Sequence, residues 1–359
     1  MPSSASLHVR GVLLPEDRER DVYVVDGRLT FEPVTGAETV ARGGYVLPGL
    51  VDAHCHIGLG KQGGVSEEEF REQARTESRA GALLVRDAGS PVDTRVLDGE
   101  PDAPRIIRAG RHVARPKRYQ PSVAVEVEPL EFPEALAAQA AAGHGWVKLI
   151  GDWIDRDAGD LTPLWPGDVL RAAVSRAHEL GARVAVHTFG EEALPDLLDA
   201  GVDSIEHGTG LTDDLIGQMV EQGTALVPTL VNIENFPGIA EQADKYPTYA
   251  ARMRRLHGSA RARIRAAYEA GVPIYCGTDA GSMVAHGRVA DEIRALHDAG
   301  LPPEAALAAG CWAARRWLGQ PGLEEGAPAD FLVFDADPRA DLSLLAEPER
   351  IVLRGRVLR

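Results

Sequence analysis

Six side chains in this sequence have the types and spacing that bind divalent metal ions and move a proton: His54, His56, Lys148, His187, His207 and Asp279. His54 and His56 flank Cys55. Two residues apart on a strand, both imidazoles face the same way, which makes them a usable ligand pair for one metal, while Cys55 faces away and is not counted. Imidazole and carboxylate suit zinc and similar borderline ions. Four histidines and one aspartate suffice for two ions if an anion bridges them. Lys148 sits inside the apolar run WVKLIG, and a lysine buried without a counter-charge is costly. It is relieved by losing its proton, or by reacting with carbon dioxide to give a carbamate, an anion with two oxygens able to bridge two cations. Taken singly, each residue has a plainer role. A strand histidine is often a hydrogen-bonded core group, Lys148 can snorkel to a strand end, and Asp279 in GTDAG can cap a turn. Their joint placement favours a site.

That placement follows from the elements around them. Short apolar runs alternate with helical patterns through the middle of the chain, the signature of βα units around a parallel sheet. Eight runs qualify: GLVDAH, ALLVRDAG, PRIIRAG, WVKLIG, RVAVHT, SIEHG, ALVPTL and PIYCGTD. Between them, Ser66 with Glu69 forms a capping box, and several helical stretches end in glycine. Eight units suit a closed (β/α)8 TIM barrel, an α/β fold in which strand C-termini converge on one face. The six residues therefore meet there. Residues 48–324 are assigned to the barrel. Residues 1–47 and 325–359 both read as short strands and are expected to pair into a small β-sandwich. No GxGxxG follows the first strand and no GxxxxGK[ST] occurs, so nucleotide-binding folds lack their phosphate loops.

Composition narrows the function classes. The chain has 359 residues, 44% hydrophobic and 26% charged, with a formal net charge of -16. Such an acidic surface repels phosphate backbones, which speaks against nucleic acid as a partner. Three scattered cysteines give no disulfide framework and no zinc-finger spacing. No membrane span and no signal peptide are read, so a cytoplasmic protein acting on a small molecule is expected. A homo-oligomer is left open.

The segments VLPGLVDAHCH, VKLIG, VAVHTFGEEA, GVDSIEHG and YCGTDAG resemble the amidohydrolase superfamily, and within it the imidazolonepropionase- and prolidase-like branch of metal-dependent hydrolases. The tail GLEEGAPADFLVFDADPRADL is similar too, so the resemblance spans essentially the whole chain. It implies that His54 and His56 bind the more buried metal and His187 and His207 the second. It further implies two zinc ions bridged by carboxylated Lys148, with Asp279 on the first metal and handling the proton. The implied reaction is hydrolysis of an amide, peptide-like or cyclic amide bond by a metal-activated hydroxide, a dipeptide or N-acyl amino acid being one substrate class. Lactonase or imidazolonepropionase-like cyclic amide hydrolysis is the alternative, as is a mononuclear deaminase. Lys148 speaks against the deaminase, and retention of the whole ligand set against a non-catalytic scaffold. Two departures bear on substrate: the region AGRHVARPKRYQP replaces a glycine-rich loop after strand three, and Cys311 replaces a threonine common in relatives.

Specificity in this fold comes from the βα loops. The loop after strand three carries Arg111, His112, Arg115, Lys117, Arg118 and Tyr119, a basic cluster in an acidic chain. Arg115 and Arg118 read as a carboxylate clamp, against the plainer reading of a solvated loop paired with nearby acids, which is slightly favoured. Tyr119, Trp153 and His286 complete the expected substrate contacts. His286 ranks highest because it follows Asp279 by a short loop. Asp152, Asn232 and Asn235 are further candidates at the mouth.

Overall fold

In a computed structural model, which describes residues 6–359, the chain adopts a TIM-barrel-like α/β fold. Seven parallel strands carry the apolar runs read above: β1 (Leu50–Cys55), β2 (Ala82–Asp87), β3 (Arg105–Arg108), β4 (Trp146–Ile150), β5 (Arg183–Thr188), β6 (Ser204–His207) and β7 (Ala225–Val227). Hydrogen bonding runs β1–β2–β3 and β4–β5–β6–β7. Between β3 and β4 the third run continues as Val113–Ala114, where Val113 pairs with Leu149. Every residue of β1, β2 and β4 is buried, as expected for parallel strands covered on both faces.

The eighth run, PIYCGTD, forms isolated bridges where a full strand is expected. Leu226 N donates to Pro273 O and Tyr275 N to Leu226 O on one side, while Ala53 N donates to Cys276 O and Asp279 N to His54 O on the other. The segment thus links β7 to β1. Pro273 has no N–H to give, and Asp279 adopts a left-handed φ of 59°, so a regular ladder cannot form through it.

Local signals in the sequence account for the helices. Helix Glu67–Arg79 starts at Ser66, whose hydroxyl accepts from Glu69 N, and has three glutamates in its first turn, favourable at the positive end of the helix dipole. Helices Asp213–Gln222 and Pro247–Ala270 stop at Gly223 and Gly271, with φ of 71° and 97°. Only glycine takes that conformation at little cost. Among the described residues no helix is long and apolar enough to cross a membrane.

The two chain ends do pair. Hydrogen bonding joins them as one seven-stranded sheet, in the order Arg356–Val357, Arg350–Leu353, Phe331–Phe334, Glu38–Pro48, Leu7–Leu13, Arg18–Val25, Arg28–Thr30. Residues 1–5, the start of the expected N-terminal segment, lie outside the described residues. Alternation along the strands separates two faces. Val9, Val22, Val46, Phe331 and Val333 form the sheet's own core, whereas Leu47, Leu332, Phe334 and Ile351 belong to the main core shared with the barrel. Asp330 anchors the join, pairing with Arg105 and accepting from Arg354 N. The sheet therefore packs onto the barrel through one face.

Leu332→Ala tests that packing. Leu332 is fully buried between the sheet and the barrel, so truncation is expected to cost about 2–5 kcal/mol, read as a lower denaturant midpoint. An unchanged midpoint would mean that the sheet contributes nothing to barrel stability.

Candidate active site

The strand ends bring the ligand-type residues into one cluster. His54 and His56 leave β1 with their Nε2 atoms 3.2 Å apart. Asp279 Oδ1 lies 2.9 Å from His56 Nε2 and 3.3 Å from His54 Nε2. His187, from β5, has Nδ1 at 2.9 Å from Nε2 of His207, from β6. The two halves meet at Asp279, whose Oδ2 lies 4.0 Å from His207 Nδ1. One ligand atom each of His54, His207 and Asp279 lie within 4.8 Å of one another. All of these residues are buried apart from Asp279, which is partly open at the bottom of the mouth.

Lys148 is buried in β4, 1% exposed, and its Nζ has no hydrogen-bond partner among the described residues. Burial pushes its pKa down to about 8, although Glu206 and Asp279 pull the other way. His187 Nε2 is also buried and unpartnered. Burial likewise lowers His187 and His207 well below the usual imidazole range, so both rings are neutral and keep a lone pair. Asp279 stays ionised despite its burial, because the neighbouring histidines hold its carboxyl well below the ordinary value. Neutral imidazoles, a carboxylate and an orphaned lysine nitrogen around one space form a donor set that fits divalent metal.

Two of these residues, His207 and Asp279, reach the cluster through a strained backbone, and Thr229 beside them shares the strain. Their φ values are 68°, 59° and 51°, in the left-handed region that non-glycine residues seldom adopt and β-branched ones least of all. Strict alternation along β6 would put Glu206 and His207 on opposite faces. The left-handed turn at His207 lets both face inward. Thr229 Oγ1 then lies within hydrogen-bond distance of His207 Nδ1, at 2.7 Å. Glu292 holds the next turn, its two carboxylate oxygens accepting from Leu230 N and Val231 N at 2.8 Å each. Asn232, one residue further on, donates from Nδ2 to Asp279 Oδ2 at 2.7 Å.

Above the cluster opens a cavity of about 550 Å³, lined among others by Tyr119, Trp153, Phe189, Ile239, Tyr249 and Met283, with His56, His187, Asn232 and Asp279 at its floor. Tyr119 and Trp153 line it, their ring centroids 4.7 Å apart. Three expected substrate contacts are corrected. Arg118 turns away from the cavity to the hairpin Asp152–Asp155/Asp160–Pro163, donating to Trp153 O, Thr162 O and Thr162 Oγ1 and pairing with Asp155 at 3.3 Å. Arg115 pairs with Glu128 at 3.5 Å on the surface. His286 is drawn back toward helix Glu67–Arg79, donating from Nδ1 to buried Glu77 at 2.7 Å. In each case a nearby acceptor holds the side chain away from the cavity. Among the described residues no arginine lines the cavity, and its one lysine, Lys61, is exposed at the rim. Asp152 supports the site from behind, accepting from Phe189 N at 2.9 Å.

Sequence reasoning missed several contributors. His112 was grouped with the basic loop, yet it is fully buried and its ring lies 5.0 Å from His56 and 5.2 Å from Tyr119. Phe189 packs on His187 and His207, at 4.4 and 4.8 Å. Glu206 stands beside His207 in the sequence, and Arg86 interrupts the apolar run of β2. A charged residue inside such a run is a signal that was available for both.

The model of the "Amidohydrolase family" matches residues 45–358. An uncharacterized protein of Mycobacterium tuberculosis (strain H37Rv) is 60% identical over 351 residues, covering 98% of this chain and 95% of its own length. An imidazolonepropionase of Salinispora arenicola is 26% identical over 375 residues, covering 91% and 88%. Among solved structures, a Xaa-Pro dipeptidase with methionine bound in its active site superposes with a TM-score of 0.85 at 23% identity, covering 99% of this chain and 100% of that one. At that identity the likeness concerns the fold.

Arg118→Ala separates a structural from a substrate-binding arginine. Losing its bonds to the hairpin should destabilise the chain by about 1–3 kcal/mol, seen in thermal unfolding. The preference between a carboxylate substrate and its neutral amide should not move, and a shift of tenfold or so in that preference would return Arg118 to the substrate.

Proposed function

The chain belongs to the amidohydrolase family, and on that premise we propose that it is a metal-dependent hydrolase of amide or cyclic amide bonds in neutral, apolar substrates. One observation carries the reading: four histidines and Asp279 cluster at the strand ends, and Lys148, near enough to feel the charge of Asp279, is buried with no partner for its nitrogen. His54, His56 and Asp279 would hold one ion and His187 and His207 the other, with Lys148, carboxylated, between them. Ions of the zinc class, when bound, supply Lewis-acid activation of water and of the scissile carbonyl.

The chain's own residues do the rest. Asp279 accepts the proton released by the attacking water at a carboxylate oxygen and delivers it to the leaving nitrogen. Asn232 donates to Oδ2, which fixes the carboxylate's rotation. The low exposure of the cluster keeps its carboxylate and imidazoles from being solvated, so each interacts more strongly with substrate.

Substrate class is read from the cavity walls. Its volume suits a small organic ligand. Tyr119, Trp153, Phe189 and Tyr249 offer flat apolar surface, and a substrate carboxylate would find only Lys61 at the rim. A substrate with an aromatic or aliphatic group beside a neutral amide fits these walls best. The similarity to an imidazolonepropionase favours a cyclic amide as the second reading.

Four measurements test the proposal. Protein produced with zinc should contain about two metal ions per chain and lose activity to a chelator. One ion or none would remove the bridged pair. Lys148→Ala should lose one ion and most turnover, so a variant with two ions and normal turnover would remove the carbamate. Asp279→Asn is nearly isosteric and should fold, yet lose about 10²- to 10⁴-fold in kcat. Wild-type turnover by that variant would take Asp279 out of the proton path. Finally, neutral N-acyl anilides and lactams should exceed their carboxylate analogues in kcat/KM. The opposite order, lost in Lys61→Ala, would overturn the substrate class.

A further inference from the structure

Beneath the cluster, in the barrel interior, lies an ion pair that neither the cavity nor the proton path uses. Arg86 of β2 and Glu206 of β6 are both fully buried. Arg86 Nη2 lies 2.8 Å from each Glu206 oxygen, Nη1 donates to Ser204 Oγ at 3.1 Å, and Nε donates to Ala53 O at 2.5 Å. The guanidinium sits over Trp146, 4.4 Å from its centroid, and 4.9 Å from that of Trp317. Those two rings pack on each other, Tyr275 stacks on Trp317, and Arg183 covers Trp146. Arg86 is thus packed on every side that these rings cover.

Glu206 also accepts from Ser204 Oγ, and one further contact points upward into the site. Glu206 Oε2 lies 2.5 Å from His54 Nδ1. A carboxylate paired with the Arg86 guanidinium only accepts, so Nδ1 carries the ring proton. Nε2 then keeps its lone pair, and Nε2 is the nitrogen facing His56 and Asp279. A buried ion pair is weak evidence for stability, since well-packed apolar residues often replace one without loss. The geometry points instead to positioning: Arg86 and Glu206 lock the tautomer and rotation of His54 and strengthen Nε2 as a donor toward a metal. The inference rests on the metal-binding reading proposed above. Metal-ligating histidines are commonly oriented by a carboxylate on the other nitrogen. Here that carboxylate is fixed in turn by an arginine clamped between tryptophans. Both residues are positioning residues, two and one contacts removed from the metal.

Three variants and a measurement on the wild type decide it. Zinc affinity is read by competition with a chromogenic chelator, and folding by the melting temperature of the metal-free chain. Glu206→Gln should weaken zinc binding by about 10- to 100-fold. Arg86→Met alone should melt earlier, because it leaves the buried Glu206 carboxylate without its counter-charge. The double variant Arg86→Met/Glu206→Gln should recover much of the melting temperature while zinc binding stays weak. Affinity that recovers together with stability, or stays at the wild-type value in Glu206→Gln, overturns the inference and leaves the pair purely structural. Nitrogen NMR of histidine-labelled, metal-free wild type supplies a test that needs no folded variant of the pair. The His54 signals, assigned by their absence from His54→Asn, should report a proton on Nδ1, and a proton on Nε2 overturns the inference. A wild type that binds no zinc at all would instead remove the proposed function.

Discussion

Charge buried inside a TIM-barrel-like arrangement of parallel strands is the constraint on which the rest of this structure depends. The barrel interior holds Arg86, Lys148, Glu206 and four imidazoles at almost no exposure. Each would be expensive there alone. The lower charges solve the problem among themselves, Arg86 with Glu206, both with Ser204, and Glu206 with His54. The upper ones do not: Lys148 Nζ and His187 Nε2 end without partners. An interior satisfied at its floor and unsatisfied at its mouth is organised for a ligand at the mouth.

The same constraint explains where the backbone is strained. Side chains on a strand alternate, so a strand end can offer only every second residue to one point. The left-handed turns at His207, Thr229 and Asp279 break that alternation and let adjacent residues converge. Such turns cost of order 1–3 kcal/mol each and need outside support. Glu292 gives it by binding two backbone N–H groups just past Thr229, and Asn232 gives it by binding Asp279. Strain and its supports thus converge on Asp279 and His207.

The mouth shows how local pairing overrides charge counting. An arginine-rich loop in an acidic chain invites a carboxylate ligand, yet the acidity that makes the loop conspicuous also supplies its partners. Arg115 finds Glu128, and Arg118 finds Asp155 and a row of hairpin carbonyls. With those cations withdrawn, the aromatic residues define the cavity.

By itself the sequence determined the parallel α/β scheme, the strand ends and the six residues His54, His56, Lys148, His187, His207 and Asp279 as one group. These follow from apolar runs and from residues of ligand type at their ends, both of which are local in the chain. It also determined that Tyr119 and Trp153 stand near the mouth, since both lie in loops just after strands. Only the tertiary structure decided which way His286, Arg115 and Arg118 turn, because their partners Glu77, Glu128 and the hairpin lie 10 or more residues away, or across a helix. It alone revealed Arg86, Glu206, Thr229 and His112 as parts of the site's support. Their roles depend on contacts between strands distant in sequence, such as Arg86 with Glu206 and His54 with Glu206, and on φ angles at His207, Thr229 and Asp279 that no residue type announces. Hydrophobic periodicity records which face of an element is buried. It does not record which buried charge will face which, because that is settled only when the barrel closes.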